Sequence, residues 1–158
     1  MGIFNKELTL LAPVSGRTLP LEEVPDPVFA QKLTGDGAAI EAKGNVAVAP
    51  ADGEVVMIFK TNHAYALRLD NGLEILVHIG VDTVKLNGNG FKRLIDEGEK
   101  VKAGTPIIGF DADIIKEGGF SCITPVLITN MEVTKSMKAV FNSEVTHGID
   151  AIIYYKIK

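Results

Sequence analysis

Short apolar runs separated by glycine-rich turns make up most of this chain. We predict β-strands at residues 45–49, 54–59, 64–69, 73–79, 106–110, 125–129 and 151–157. Runs of this length, bounded by turn residues at short intervals, are typical of a sandwich or barrel of strands. Most of the 16 glycines and 7 prolines fall between the runs, where they mark turns. The pattern therefore predicts an all-β fold, an antiparallel β-sandwich.

Three short segments carry helical start or stop signals instead. They cover residues 26–31, 91–97 and 111–117. The first begins with Asp26 as a potential N-cap and Pro27 at the first helical position, and the third ends at Gly118. Each is long enough for only one or two turns, so these segments leave the predicted fold class unchanged.

A hairpin is predicted between two of the apolar runs, and it places two of the three histidines close together. Its tip is Asp70-Asn71-Gly72, and Asn-Gly is the strongest short signal for a two-residue type I′ loop. With that loop, His78 lies opposite Tyr65, and His63 is its diagonal neighbour on the same face. We therefore predict a pair of neighbouring imidazoles. A three-residue loop would place the two rings on opposite faces.

The two faces of this hairpin differ in character. On one face every residue is apolar, and this face is predicted to point to the core: Leu73, Ile75, Val77 and Ile79. The residues predicted on the opposite, outer face are Phe59, Thr61, His63, Leu76 and His78. Apolar side chains around a reactive group on an outer face suggest docking by another protein.

Composition and charge narrow the function. The 158 residues are 46% hydrophobic, which suffices for one sizeable core, so we expect a single domain at residues 12–158 after a short segment at 1–11. The formal net charge of −4 is opposite in sign to the basic footprint of nucleic-acid-binding proteins. We expect no nucleic-acid partner.

Compartment signals favour the cytoplasm. Cys122 is the only cysteine, so the chain forms no intramolecular disulfide, and the N-terminus lacks the apolar core of a signal peptide. No apolar run approaches the ~20 residues that a membrane-spanning helix needs. We expect a cytoplasmic protein with no stable membrane insertion.

A faint internal repeat links two turns of the chain. Residues 12–16, Ala-Pro-Val-Ser-Gly, are echoed 37 positions later by residues 49–53, Ala-Pro-Ala-Asp-Gly, and more loosely by Thr124-Pro125-Val126. Proline before a turn and glycine after it are ordinary turn chemistry. Coincidence and duplication are therefore equally good interpretations.

Several motifs together resemble one protein family. They are Ala12-Pro13-Val14-Ser15-Gly16, Val24-Pro25-Asp26-Pro27-Val28-Phe29, Gly35-Asp36-Gly37, Thr61-Asn62-His63-Ala64, Val77-His78-Ile79-Gly80-Val81-Asp82-Thr83-Val84, Gly88-Asn89-Gly90-Phe91 and Thr124-Pro125-Val126. In this order, over roughly residues 10 to 158, the chain resembles enzyme IIA of the glucose family of the bacterial phosphoenolpyruvate-dependent sugar phosphotransferase system. The His-Ile-Gly-Val-Asp-Thr-Val block is the most specific of these motifs.

The resemblance implies a phosphoryl carrier on a β-sandwich of the duplicated, barrel-sandwich hybrid type. The histidine of the His-Ile-Gly-Val-Asp motif accepts the phosphoryl group in that family, and here it is His78. By the same matching, His63 is the partner imidazole and Thr61 supplies a supporting hydroxyl. The protein would act as a phosphotransferase component and would need no cofactor.

The resemblance also implies two protein partners, the phosphocarrier HPr as donor and the IIB domain of a sugar permease as acceptor. We expect both to dock on one apolar ring, made of Val28, Phe29, Phe59, Leu76 and Val84. Transient partners need fast release, so we expect a small interface of weak affinity. We also expect a monomer that reaches the inner face of the membrane only transiently, through the permease. The sugar stays open, because a IIA domain contacts proteins and not the transported molecule.

Imidazole chemistry supports these roles independently of the family. A ring nitrogen can attack a phosphoryl donor when the other nitrogen is protonated and held, and a pKa of about 6.5 keeps neutral imidazole available near pH 7. A second imidazole that donates to phosphoryl oxygens assists by stabilising charge. The third histidine, His147, lies in a Thr-His-Gly turn and is expected to be a solvated surface residue.

Two other functions fit parts of the sequence. His63 and His78 offer two zinc ligands, but zinc sites need a third protein ligand and no His-x-His is present, so zinc at this pair would be adventitious. A biotinyl or lipoyl carrier module is the second alternative, because residues 97–106 resemble the Gly-x-x-Val-x-x-Gly turn of such domains. Their modified lysine lies at a hairpin tip, and Met137-Lys138-Ala139 is a partial match to its motif.

Overall fold

The computed structural model describes residues 6–158 and confirms the all-β class. Its elements are β1 (Leu8–Leu11), β2 (Ser15–Leu19), α1 (Pro27–Ala30), β3 (Asp36–Lys43), β4 (Val46–Val48), β5 (Gly53–Ile58), β6 (Ala64–Arg68), β7 (Glu74–His78), β8 (Phe91–Arg93), β9 (Lys100–Val101), β10 (Pro106–Phe110), α2 (Ala112–Glu117), β11 (Ile123–Ile128), β12 (Thr134–Ala139), β13 (Glu144–Val145) and β14 (Ala151–Ile157). Single 3₁₀ turns cover Leu21–Glu23, Thr83–Leu86 and Met131–Val133. No helix within these residues has the length and apolarity needed to cross a membrane.

Within residues 6–158, three antiparallel sheets enclose one main core. The largest has eight strands in the order β13-β2-β3-β11-β7-β6-β5-β9, and the two smaller ones have the orders β1-β14-β12 and β4-β10-β8. Leu73, Ile75, Val77 and Ile79 are all fully buried in the core, as their parity predicts. Tyr65, predicted on the outer face, is also fully buried, and its hydroxyl donates to the carbonyl of Val48 at 2.7 Å.

The faint repeat has a structural counterpart. The amide of Leu11 donates to the carbonyl of Pro50, and 37 residues on the amide of Val48 donates to the carbonyl of Pro13, both at 2.8 Å. The carbonyls of Ala12 and Ala49 likewise each accept from a glycine amide, of Gly148 and Gly104 respectively. The two segments thus exchange equivalent backbone hydrogen bonds, which favours duplication over coincidence.

The expectation that His147 is a solvated surface residue is wrong. Its Nδ1 lies 2.7 Å from the hydroxyl of Ser15, and its backbone amide donates to that same oxygen. In the other half of the repeat, Asp52 accepts from the amide of Ala103 in the same way. His147 therefore has a structural role in one of two equivalent turns.

Two of the three predicted helical turns form. Asp26 and Asp111 are the N-caps of α1 and α2, and each side chain accepts from backbone amides of the first turn. The prediction of a helical turn at residues 91–97 is wrong, because Phe91–Arg93 pairs with β10 as strand β8. The apolar spacing of Phe91, Leu94 and Ile95 imitates a helix, but the first of them lies on a strand.

The boundary region of the predicted domain forms part of the fold. Within the segment predicted at 1–11, residues 8–11 are strand β1, which pairs with β14. Residues 1–5 of that segment lie outside the described residues.

A connecting segment after β2 covers the outer face of the large sheet. Leu21, Val24 and Phe29 of this segment pack with side chains of the sheet and of the turn after β7 in a second apolar cluster, here called the outer cluster. The members of this outer cluster are Leu19, Leu21, Val24, Phe29, Ala39, Val81 and Leu127. Leu76 and Ile123 pack against it. The outer cluster brings α1 to the end of β7, where His78 lies.

Candidate functional site

The hairpin that carries the histidines has a three-residue loop, so the predicted two-residue loop is wrong. The amide of Leu69 donates to the carbonyl of Leu73, which leaves Asp70, Asn71 and Gly72 as the loop. Gly72 has a φ of +91°, typical of a three-residue hairpin that ends in a left-handed residue. As a result His78 lies opposite Ala64 instead of Tyr65.

The two imidazoles nevertheless meet. Their ring centroids are 4.9 Å apart, with an interplanar angle of 78°. Strand parity no longer applies to His63, because it precedes β6 and follows a tight turn in which Asn62 has a φ of +60° and donates its amide to the carbonyl of Phe59. This turn redirects the His63 side chain toward His78. The predicted pair is confirmed, although the register that predicted it is not.

Each ring uses its Nδ1 in a hydrogen bond. His78 Nδ1 lies 2.7 Å from the carbonyl oxygen of Gly80, and because a carbonyl only accepts, Nδ1 of His78 carries a proton. In the neutral ring the Nε2 atom then holds the free lone pair. His63 Nδ1 lies 2.6 Å from Oγ1 of Thr61, so this ring is also fixed from its Nδ1 side.

Both rings are neutral at pH 7. Burial, together with the neighbouring His78, lowers the pKa of His63 to about 4. Burial also lowers the pKa of His78, against the opposing effects of the hydrogen bond to Gly80 and of the carboxylates of Asp26 and Asp82. The site therefore holds two uncharged imidazoles side by side, and an uncharged imidazole can act as a nucleophile.

Aromatic rings form the walls of the pair. Phe29 packs on His78 with centroids 5.1 Å apart, and Phe59 lies edge-on to His63 at 5.4 Å. Phe91 is a further wall, 6.5 Å from His63. In the sequence analysis Phe91 is only the last residue of a motif, in a segment predicted to form a helical turn. Strand β8 instead brings its ring to the site.

The five residues predicted for the docking ring differ in exposure. Val28 and Val84 are 44% and 49% exposed, and Phe59 and Leu76 are half-buried. Phe29 is only 7% exposed, because it belongs to the outer cluster and packs under His78. Of the five, Val28 and Val84 therefore have the largest exposed fractions, and Phe29 has the smallest.

Strand β8 also holds the turn before His63. Arg93 Nε donates to Oδ1 of Asn62 at 3.1 Å. Asn62 lies between Thr61 and His63, so this bond fixes the peptide segment that presents both. Spacing alone does not pair Arg93 with Asn62, and no signal in the sequence predicts this contact.

Neither alternative function gains support from the geometry. Within residues 6–158, no group of three or more His, Cys, Asp or Glu side chains is arranged to hold a metal ion. Lys138 lies inside strand β12, opposite Tyr154, and not at a hairpin tip. The expected environment of a biotinylated or lipoylated lysine is therefore missing at this residue.

Comparison with known proteins supplies the family. The model of the family "phosphoenolpyruvate-dependent sugar phosphotransferase system, EIIA 1" matches residues 8–134. The chain is 42% identical over 158 residues to the PTS system glucose-specific EIIA component of Bacillus cereus, covering 100% of this chain and 96% of that protein. It is 45% identical over 150 residues to the PTS system N-acetylglucosamine-specific EIICBA component of Klebsiella pneumoniae, covering 95% of this chain and 23% of that protein.

A solved structure extends the comparison to the fold. Glucose permease IIA from Mycoplasma capricolum matches with a TM-score of 0.89 and 38% sequence identity, covering 98% of this chain and 99% of that one. The family match covers most of the chain, and the sequence and structural similarities extend over nearly all of it. The chain therefore belongs to the EIIA 1 family of the phosphoenolpyruvate-dependent sugar phosphotransferase system.

Proposed function

We propose that this protein is a phosphoryl carrier that accepts a phosphoryl group on Nε2 of His78 from phosphorylated HPr and passes it to a IIB domain for sugar uptake. The observation that carries the proposal is the hydrogen bond from His78 Nδ1 to the Gly80 carbonyl, which leaves the Nε2 lone pair free beside a second imidazole. Family membership and the EIICBA architecture of a relative support the role of carrier and a IIB acceptor.

The transfer step follows from this tautomer. The Nε2 lone pair of His78 attacks phosphorus, the bond from phosphorus to the donor breaks, and its electron pair leaves with the donor nitrogen. Nδ1 keeps its proton, so the His78 ring becomes positively charged as the new bond forms. The Gly80 carbonyl accepts that proton's hydrogen bond, and the carboxylates of Asp26 and Asp82 favour the charged ring. Passing the phosphoryl group to an acceptor reverses these changes.

His63 assists as a neutral hydrogen-bond donor. When the Thr61 hydroxyl donates to Nδ1, Nε2 of His63 carries the proton and can donate to a phosphoryl oxygen. The pKa of about 4 keeps this ring neutral at pH 7, so it offers that donor without repelling a positively charged His78 ring. As a donor, the Thr61 hydroxyl therefore supports the tautomer that a charge-stabilising role requires.

The partners meet an apolar surface around this pair. Its apolar side chains are Val28, Phe59, Leu76 and Val84. Because the donor and the acceptor must both reach the same histidine, both partners must use this surface. We expect a monomer in the cytoplasm that contacts the membrane only through the permease. No metal takes part in the proposed step, and zinc bound by His63 and His78 would be adventitious.

The direct test is intact mass after incubation with phosphoenolpyruvate, enzyme I and HPr. Wild type should gain one acid-labile phosphoryl group, His78→Gln should gain none, and His63→Gln should gain it but transfer it to a IIB domain poorly. His147→Gln is the matched control, since it removes a histidine bonded to Ser15 away from the pair.

Two results would overturn the proposal. A folded wild type that gains no phosphoryl group, with active HPr confirmed, would remove the carrier role. Labelling of His78→Gln together with an unlabelled His63→Gln would reverse the two histidines. The mass of the untreated protein also tests the rival carrier function, because a biotinyl or lipoyl group on Lys138 would add to it.

A further inference from the structure

A fully buried threonine lies beside the turn that follows His78. Thr83 is 0% exposed, and its Oγ1–H donates to the carbonyl of Ile79 at 2.6 Å. The phosphoryl-transfer step described above does not use this hydroxyl. Its position next to Gly80, whose carbonyl holds the His78 ring, connects it to that step.

Two consecutive peptide units in this turn are each held by a hydrogen bond. The unit joining Ile79 to Gly80 is held through its carbonyl by Thr83, and the unit joining Gly80 to Val81 is held through its amide, which donates to the carbonyl of Ser121 at 3.1 Å. Gly80 is the hinge between the two units. With both fixed, the Gly80 carbonyl is aimed at His78 Nδ1.

The space around Gly80 is closed by the same threonine. Gly80 has a φ of +79°, a conformation that favours glycine. A Cβ built there would lie 2.6 Å from Cγ2 of Thr83 and 2.7 Å from the carbonyl oxygen of Ser121. The Thr83 methyl group therefore packs directly on the hinge, and its hydroxyl fixes the peptide unit before it.

We propose that Thr83 is a positioning residue for His78. By fixing the turn at Gly80 it holds the carbonyl that keeps the proton of His78 on Nδ1, and so keeps the Nε2 lone pair available for attack. The proposal deepens the function proposed above and rests on it for the effect on phosphoryl transfer, whereas the effect on the His78 tautomer needs no transfer at all.

The experiment compares four proteins by ¹⁵N NMR of the histidine rings and by the rate of labelling from phosphorylated HPr. Thr83→Val removes the hydroxyl and keeps the shape, Thr83→Ser keeps the hydroxyl, and wild type is the reference. Thr18→Val is the matched control, because Thr18 is another fully buried threonine whose hydroxyl bonds the backbone of a distant residue, Ser143.

We expect Thr83→Val to shift His78 toward the Nε2–H tautomer and to slow labelling roughly ten- to a hundredfold, the scale on which small misplacements of reacting groups act. Thr83→Ser should restore the Nδ1–H signal and most of the rate, and Thr18→Val should resemble wild type in both readouts. If Thr83→Val does not fold, Thr83→Ala, which leaves room for water at the Ile79 carbonyl, takes its place with the same expectation.

A folded Thr83→Val or Thr83→Ala that keeps the wild-type His78 tautomer would overturn the proposal, even if labelling slowed. Failure of the proposed function is a separate result, because in that case wild type is not labelled at His78 while the tautomer still responds to Thr83.

Discussion

At the scale of single residues, the site depends on which ring nitrogen carries a proton. Gly80 and Thr61 each bind one Nδ1 atom, but a carbonyl only accepts whereas a hydroxyl can also donate. The two imidazoles can therefore hold opposite tautomers, one with a lone pair and the other with a proton at Nε2. Two identical side chains can thus differ at Nε2 because of the groups that bind their Nδ1 atoms.

The buried His63 should make the protein less stable in mild acid. Its pKa is about 4 when folded and about 6.5 when unfolded, so as the pH falls between these values only the unfolded chain takes up this proton. The free energy of unfolding should fall through this window, and His63 should account for about 2 kcal/mol of the loss between pH 7 and pH 4.5.

Urea denaturation of wild type and His63→Gln at both pH values measures this contribution. The variant should lose about 2 kcal/mol less than wild type on acidification. Above pH 7 the two proteins should respond to pH in parallel, since His63 is then neutral in both states. Equal losses on acidification would show that His63 is readily protonated in the folded protein.

At the scale of elements, the site is assembled from the ends of strands and the turns beside them. The turn at residues 59–62 directs His63 toward His78, and strand β8 secures that turn through the bond from Arg93 to Asn62. The turn at 79–83 secures His78 from the other side. The strands provide a fixed frame, and the turns determine where each ring points.

Loosening the first of these turns should impair transfer more than folding. Arg93→Met removes the donor to Asn62 and keeps much of the side-chain stem, so we expect about 0.5–1.5 kcal/mol of lost stability. The rate of labelling from HPr should fall about three- to tenfold, because His63 and Thr61 are less well placed. Arg68→Met is the control, since Arg68 is exposed and pairs with Glu74 toward the other end of the same hairpin. Labelling as fast as wild type in a folded Arg93→Met would mean that the turn holds its shape without this bond.

The sequence predicted the elements with strong local signals and missed those shaped by tertiary contacts. Capping residues located α1 and α2, and alternating apolar residues located β7. Strand β3, Ala-rich and buried on both faces by the core and the outer cluster, shows no alternation and was not predicted. The hairpin loop was predicted one residue too short, because Asn-Gly occurs in two- and three-residue loops alike.

At the site, the sequence identified the residue types but not their arrangement. His63, His78 and Thr61 were chosen from motifs, and the structure brings the three together. The bond from Arg93 to Asn62 joins segments 31 residues apart, and such a contact is decided by how β8 packs on the turn before His63. The residues around Asn62 and around Arg93 therefore do not predict that the two side chains meet.

At the scale of the whole molecule, the internal repeat links two parts of the fold by matching hydrogen bonds. The two related segments exchange equivalent backbone bonds between Leu11 and Pro50 and between Val48 and Pro13. These bonds join segments at the ends of strands from different sheets around one core. The outer cluster covers part of the outer face of β7. Val28, next to the Phe29 that packs on His78, and Val84, directly after the turn that holds His78, have exposed side chains.

If one surface serves both partners, a charge placed on it should slow both transfers together. Val28→Asp and Val84→Asp each add a carboxylate to an exposed apolar position, so the fold should be retained while labelling from HPr and delivery to a IIB domain each slow by roughly tenfold or more. Ile149→Asp is the matched control, because Ile149 is 71% exposed but lies on the turn between β13 and β14. Single-turnover rates with each partner, read beside thermal melts, make the comparison. A variant that slowed only one of the two transfers would show that donor and acceptor use different surfaces. Both would still have to reach His78 in turn, so one partner would have to dock in an orientation rotated about the histidine relative to the other.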